Sequence, residues 1–251
     1  MLPAQRATLA AHAPPRLSSG EPHRLPVSLA QAVSRRLTQH PGAHRLARRA
    51  QKVGRYYLRR PHEREYRRFA RMSGPGLFLD VGANAGQSAM SFRLYNRFSP
   101  ILSLEPNPDM EPELRFLKRR VLRAGFDYRM VGAGARRETA TLHVPFVGRS
   151  PISGEATMDA DGAGQLHWPA RPGEVSVRER RVPVVPIDAM GLRHVDYVSI
   201  DVEGVQDQVV TGALETIRRW KPVILCEGPR DVLALLSPIG YRQAGPFLLP
   251  G

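Results

Sequence analysis

The 251-residue sequence contains a single cysteine, Cys226, and no run of about 18 apolar residues. One cysteine excludes a disulfide framework and suits a reducing compartment, so a cytoplasmic location is expected. The missing apolar run excludes a spanning helix, and the first residues lack the apolar stretch of a secretory signal. Acids are scarce at one end. Residues 1–72 carry three, Glu21, Glu63 and Glu65, against sixteen Arg and Lys, a net charge of +13, whereas residues 73–251 come to +1. The total of +14 therefore describes an N-terminal extension and not the whole chain. At 42% hydrophobic and 24% charged, the sequence is neither collagenous nor wholly disordered, and its length suffices for a sizeable core.

Residues 1–26 are rich in Pro, Ala and Arg without periodicity and read as a disordered leader, with an organellar transit peptide as the alternative. Residues 27–72 read as a basic helical extension. Ser28 caps a segment to Gln39, broken by Pro41-Gly42. Residues 43–60 place Leu46, Ala50, Val53 and Tyr57 on one stripe, expected to pack on the following domain. His62–Met72 reads as a third short helix. Residues 73–251 then alternate strands with helices, as an α/β domain requires. The strands expected are Leu77–Val81, Ile101–Glu105, Tyr128–Val131, Val195–Asp201 and Pro222–Glu227. Helices are expected from Gln87 to Phe98, from an Asp109 cap to Arg123, and from Val205 to Trp220. Thr139–Val144 and Arg181–Ile187 alternate like an antiparallel pair, separated by a Gly/Pro-rich insertion, 146–176, of the kind that forms lids. Asp231–Leu236 reads as a helix, and Tyr241–Gln243 with Phe247–Leu249 as a short hairpin.

Three expected strands end in an acid: Asp80, Glu105 and Asp201. In an open parallel sheet, ligands bind beyond the carboxyl ends of the strands, so these carboxylates are expected to converge on one crevice. The first turn, Asp80-Val-Gly82-Ala-Asn84-Ala-Gly86, holds two glycines that allow close backbone approach to a ligand. Asn84 stands where a dinucleotide fingerprint has its middle glycine. A carboxylate at Glu105 suits two hydrogen bonds from a ribose diol, a feature common to several nucleoside cofactors.

The segment Asp201-Val-Glu203-Gly204, with Gly82-Ala-Asn84-x-Gly86 and Glu105-Pro-Asn-Pro108, resembles the FkbM family of S-adenosylmethionine-dependent methyltransferases over roughly residues 62–243. The resemblance implies a Rossmann-like class I fold, a mostly parallel seven-stranded sheet with helices on both faces. It also implies O-methylation of a sugar, glycan or polyketide-type natural product. By that resemblance Asp80, Gly82, Asn84, Gly86 and Asp201 line the methionine side of the cofactor and Glu105 holds its ribose. Asp201 and Glu203 face the methyl group and the acceptor. Gln206 replaces an acid usual in the family, and the chain after Gly240-Tyr241 leaves room only for abbreviated last strands.

No metal is expected: Glu227-Gly228 stands where catechol-type enzymes carry an Asp-Asn pair, and His143, His167 and His194 lack ligand spacing. His167 and Trp168, in the insertion, are candidates for acceptor contact. Two alternatives accompany the methyl-transfer reading. One is a nucleic-acid methyltransferase anchored by the basic extension, although an Asn/Asp-Pro-Pro-Tyr turn is missing. The other is a catalytically silent binding module.

Overall fold

The computed structural model describes residues 41–71, 74–147, 150–152, 154, 156–158 and 175–251. The expected leader, the Ser28–Gln39 segment, and His167 and Trp168 lie outside the described residues. Helix α1 spans Pro41–Tyr57. Pro41 and Gly42 belong to the described part of this helix, and the expected break from the Ser28–Gln39 segment falls outside the described residues.

The expectation that the stripe of α1 packs on the domain is overturned. Leu46 is 64% and Tyr57 67% exposed, while Arg49, Lys52 and Tyr56 turn inward. The reason is electrostatic. Glu113 offers a buried carboxylate, 2.7 Å from Arg49 Nη2 and 2.9 Å from Lys52 Nζ. A buried carboxylate without a cation is far costlier than an exposed leucine. A 3-10 segment, Glu65–Arg71, replaces most of the expected third helix. It delivers Tyr66 and Phe69 into the core, which therefore reaches back across residue 72.

Strand β1 is Leu77–Val81. Its alternation sends Leu79 and Val81 to one face of the sheet and Phe78 to the other. Helix α2, Gln87–Tyr95, lies on the Phe78 face, where Phe92 stacks on Phe78 with ring centroids 4.0 Å apart. Strand β2 is Ile101–Leu104. The next helix is capped by Asn107, whose Oδ1 accepts from the Asp109 N–H, and not by Asp109 itself. A 3-10 turn, Pro108–Met110, leads into α3, Glu111–Phe116, which widens to a π turn over Leu117–Val121. Strand β3 is Phe126–Arg129 and β4 is Gly132–Ala133. Strands β5, Glu138–Val147, β6, Ser150–Pro151, and β7, Val175–Val185, follow.

Strand β8 is Val195–Ile200. The expected Val205–Trp220 helix is split into α4, Gln206–Thr211, and α5, Leu214–Trp220. Gly212 packs against the carbonyl of Gly134 with no room for a β-carbon. The Asp188 carboxylate then accepts the N–H groups of Glu215 and Thr216, supplying α5 with its own cap. Strand β9, Val223–Cys226, helix α6, Pro229–Leu236, and the hairpin β10, Tyr241–Ala244, and β11, Phe247–Pro250, complete the chain.

Seven strands form one sheet in the order β10-β11-β9-β8-β1-β2-β3. Strand β11 alone runs against its neighbours, so the sheet is mixed and not parallel throughout. Its four residues pair with β9 and β10, and the abbreviated hairpin is enough to supply both last strands. Helices α4, α5 and α6 cover the Leu79 face, and α2 and α3 cover the other. A second sheet, β4-β7-β5-β6, is built on the expected antiparallel pair, which extends from Glu138↔Val184 to Val147↔Val175. Among the described residues, no helix is long and apolar enough to cross a membrane.

Candidate active site

Strand β1 lies between β2 and β8, so chain order reverses at its carboxyl end and leaves a crevice there. The crevice encloses about 680 Å³, its mouth included. Its sheet-side walls are Val81, Leu104, Val131 and Ala133, and its polar groups come from Asn84, Glu105, Asp201 and Glu203.

The glycine loop is held by the ladder it leaves. The N–H groups of Gly82 and Ala83 both donate to the Leu104 carbonyl, and Asp201 N–H donates to the Val81 carbonyl. Gly82 has φ +86°, and a β-carbon there would collide with the carbonyl of Asp201. Its absence lets the ends of β1 and β8 close on one another. Asn84 also sits at positive φ, +48°, and its Oδ1 is buried without a hydrogen-bond partner.

Glu105 is the anchor of the crevice. Asn84 N–H donates to its Oε2 at 2.6 Å and Asn107 N–H to its Oε1 at 2.8 Å. Each oxygen keeps a second lone pair, so a fixed carboxylate remains able to accept from a ligand. Burial nevertheless pushes its pKa up to about 7, the two amides and the Asp80 charge being smaller influences.

Two expected residues do not line this crevice. Asp80 belongs to the opposite face of the sheet, because side chains alternate along β1. It is fully buried, accepts from Ser103 Oγ at 2.7 Å, and leaves its Oδ1 unpartnered. Burial raises it to about 6, partly opposed by Ser103 and Ser88. The three strand-end acids therefore split, with Glu105 and Asp201 in the crevice and Asp80 behind it. Gly86 is at φ +81° at the start of α2, and a β-carbon there would strike Leu117. It serves helix packing.

Asp201 stands where the crevice meets a second hollow, lined by Glu63, Glu65, Ser199, Cys226 and Glu227. Its side chain reaches solvent, but protein crowds it on the remaining sides. It is raised to about 8, first by this loss of water, then by a hydrogen bond shared with Glu227, then by Glu63 and Asp80. Glu63 is raised too, first by burial and then by the charges of Glu65, Glu227 and Asp80. Sequence reasoning missed Glu63 and Glu227 as neighbours of Asp201. Glu227 ends the fifth apolar strand and obeys the same strand-end rule, whereas Glu63 carries no local signal. Tyr66 hydroxyl and Ser199 Oγ, 2.9 Å apart, tie the second hollow to the core.

The roof comes from the second sheet. Leu142 on β5, with Ala156, Thr157 and Met158, covers the crevice. Thr157 exchanges two backbone hydrogen bonds with His143, and its Oγ1 donates to the Glu203 carbonyl at 3.0 Å. Glu203 itself is exposed at the rim.

Residues 80–242 match the model of the methyltransferase FkbM domain family. That span begins at Asp80 and includes every crevice residue named above. A solved structure, methyltransferase FkbM from Methylobacillus flagellatus KT, is 16% identical with a TM-score of 0.44. The alignment covers 68% of this chain and 43% of that one, so this chain spans less than half of the other's length. No curated protein matches the sequence. The family model alone covers well over half of the chain, and by that match the chain belongs to the FkbM methyltransferase domain family.

Proposed function

We propose that the chain is an S-adenosylmethionine-dependent methyltransferase that methylates a hydroxyl on a sugar, glycan or polyketide-type natural product. The observation that carries the reading is Glu105. Its two oxygens are pinned by backbone amides, and it lies beside apolar walls at the point where strand order reverses. The residues fit the cofactor. Leu104, Pro106, Val131 and Ala133 offer a slot of purine character, and Glu105 offers two free acceptor sites to a diol. Asn84, with its orphaned Oδ1, and Gly82 border the path toward Asp201. Asp80 and Gly86 contribute by shaping the loop from behind. When bound, S-adenosylmethionine supplies a methyl group already activated by its sulfonium centre.

The protein's share is then alignment and proton removal. Holding the acceptor oxygen in line supplies up to about 7–11 kcal/mol of the barrier reduction. Asp201 takes the hydroxyl proton on a carboxylate oxygen, and an acidity near 8 gives it more basicity than an ordinary carboxylate. Glu203, on the adjoining rim, orients the acceptor and is the second candidate base. His167 and Trp168 are assigned to acceptor contact. The catalytic unit is taken as residues 73–251, working in the cytoplasm, with Tyr66 and Phe69 of the basic extension 27–72 completing its core.

Calorimetric titration with S-adenosylhomocysteine tests the reading. Binding by the native chain that Glu105→Ala abolishes supports it and eliminates the silent-module alternative. Equal affinity in the two proteins overturns it. Mass-shift screening with isotope-labelled cofactor then separates hydroxyl acceptors from nucleic acids, and a shift on nitrogen-only acceptors overturns the O-methyl assignment.

A further inference from the structure

The outward side of α1 has no role in the crevice, and its chemistry is unusual. One turn after Arg49 and Lys52 are taken up by Glu113, the chain presents Arg55, Arg59, Arg60, Arg64 and Arg67 around one hollow. Among the described residues, none of these five arginines pairs with a carboxylate. Arg55 donates one N–H to the Pro61 carbonyl, and its Nε is buried without a partner. Five guanidinium groups in one concavity repel one another and call for anionic counter-charge.

Tyr57 and Leu58 directly precede Arg59 of this hollow, and Phe98 follows Tyr95, which lines it. Leu46 is 64%, Tyr57 67%, Leu58 69% and Phe98 92% exposed. The Phe98 turn follows α2, whose Tyr95 packs in one cluster with Tyr56 of α1 and lines the arginine hollow. Asn96 Oδ1 accepts from both Phe98 N–H and Ser99 N–H, a tight turn that holds the Phe98 ring outward. Arg93 donates to the Asn96 and Arg97 carbonyls of the turn and to the Gly125 carbonyl, and so braces the turn against the start of β3.

We propose that this face docks the protein on an anionic phospholipid surface. In that arrangement the Phe98, Leu58 and Tyr57 tips enter the boundary between headgroups and acyl chains, and the arginines sit at the level of the phosphates. Arginine-ringed apolar tips are what interfacial binding requires, and the two components reinforce each other. A polynucleotide would satisfy the arginines and could stack on the aromatic rings, but it gains nothing from aliphatic Leu58. The proposal is independent of the reaction assigned to the crevice.

The test is co-sedimentation of the full chain with vesicles of phosphatidylcholine alone or with about a third phosphatidylglycerol. Binding is expected only to the anionic vesicles, weakened by salt. It should fall at least tenfold in L58S/F98S and again in R59E/R64E, with unchanged thermal midpoints, since all four side chains are exposed. The single variant F98S, altered at a side chain 92% exposed, gives the same readout with little risk to folding. Undiminished vesicle binding by both double variants would place the contact elsewhere in the chain and overturn the proposal. So would binding to RNA homopolymer with none to anionic vesicles.

Discussion

Gly82 and Asp201 are packed backbone to backbone, and the space where a β-carbon on the glycine would stand is filled by the Asp201 carbonyl oxygen. This contact joins the glycine loop to the residue assigned to proton removal, so geometry in one dictates geometry in the other. Gly82→Ala adds a clash with backbone to a positive φ of +86°. It is expected to cost about 3 kcal/mol or more, read as a drop in thermal midpoint. Any folded fraction should lose affinity for S-adenosylhomocysteine. A variant with native stability and affinity would show that the two strand ends can part without consequence.

Glu105→Gln replaces one acceptor oxygen with an N–H₂ group. One of the two backbone amides, from Asn84 or Asn107, then faces a donor. Denaturant unfolding should register a loss of about 1–3 kcal/mol. Calorimetry should show cofactor binding weakened by more than the stability change alone would produce.

The acidity of Asp80 and Glu105 has a stability consequence whose sign is fixed. Both carboxyls are raised in the folded protein, to about 6 and about 7. Their contribution is therefore fully present below the unfolded value near 4 and is lost as pH rises through 6 and 7. For Asp80, entirely buried, the change is on the order of 3 kcal/mol. Glu113, lowered by Arg49 and Lys52 despite its burial, acts oppositely and loses its contribution on acidification. Thermal midpoints measured from pH 4 to 7 should fall less steeply in Asp80→Asn than in the native chain. An unchanged slope would show that Asp80 does not titrate in this window.

Turnover should depend on the pair Asp201 and Glu227. Asp201 is protonated below about 8, so the rate should climb as pH approaches that value and then level. Asp201→Asn should reduce kcat roughly 10²–10⁴-fold and remove the climb. Glu227→Gln removes a negative neighbour and should shift the climb toward lower pH. A shift in the opposite direction would exclude the shared hydrogen bond as its cause.

Glu113→Gln leaves Lys52, 5% exposed, with a neutral partner. Breaking a buried pair of this kind costs about 3–5 kcal/mol. Lys52 Nζ also donates to the Ala85 carbonyl at 2.7 Å, one residue beyond Asn84. Hydrogen exchange should therefore accelerate both in α1 and in the 82–86 loop. Acceleration in α1 alone would separate the extension from the site.

The strand cores were legible because apolar runs closed by an acid or a turn have few other uses. Leu77–Val81 and Val195–Ile200 are found where expected, and Gln87 does begin a helix. The strand-end rule likewise located Glu105 and Asp201. Alternation within a strand was available in the same residues and places Asp80 on the far face, but the rule of converging strand ends ignores it. The fracture at Gly212 depends on Gly134, nearly eighty residues earlier, and no local pattern encodes that meeting. The inward face of α1 was misjudged because periodicity ranks residues by hydrophobicity, whereas Glu113 ranks them by charge. Leu142, Thr157 and Met158 carry no motif, and only the packing of the second sheet brings them over the crevice.

Thr157 fastens the 156–158 segment at two points, to His143 through the main chain and to the Glu203 carbonyl through its hydroxyl. That clasp holds Thr157 and Met158 against the crevice, where they narrow its opening. Thr157→Val cuts the side-chain stitch and leaves the bridges of Thr157 to His143 and Glu203 in place, so it is expected to quicken the release of S-adenosylhomocysteine, read by stopped-flow, more than it lowers affinity through the crevice walls.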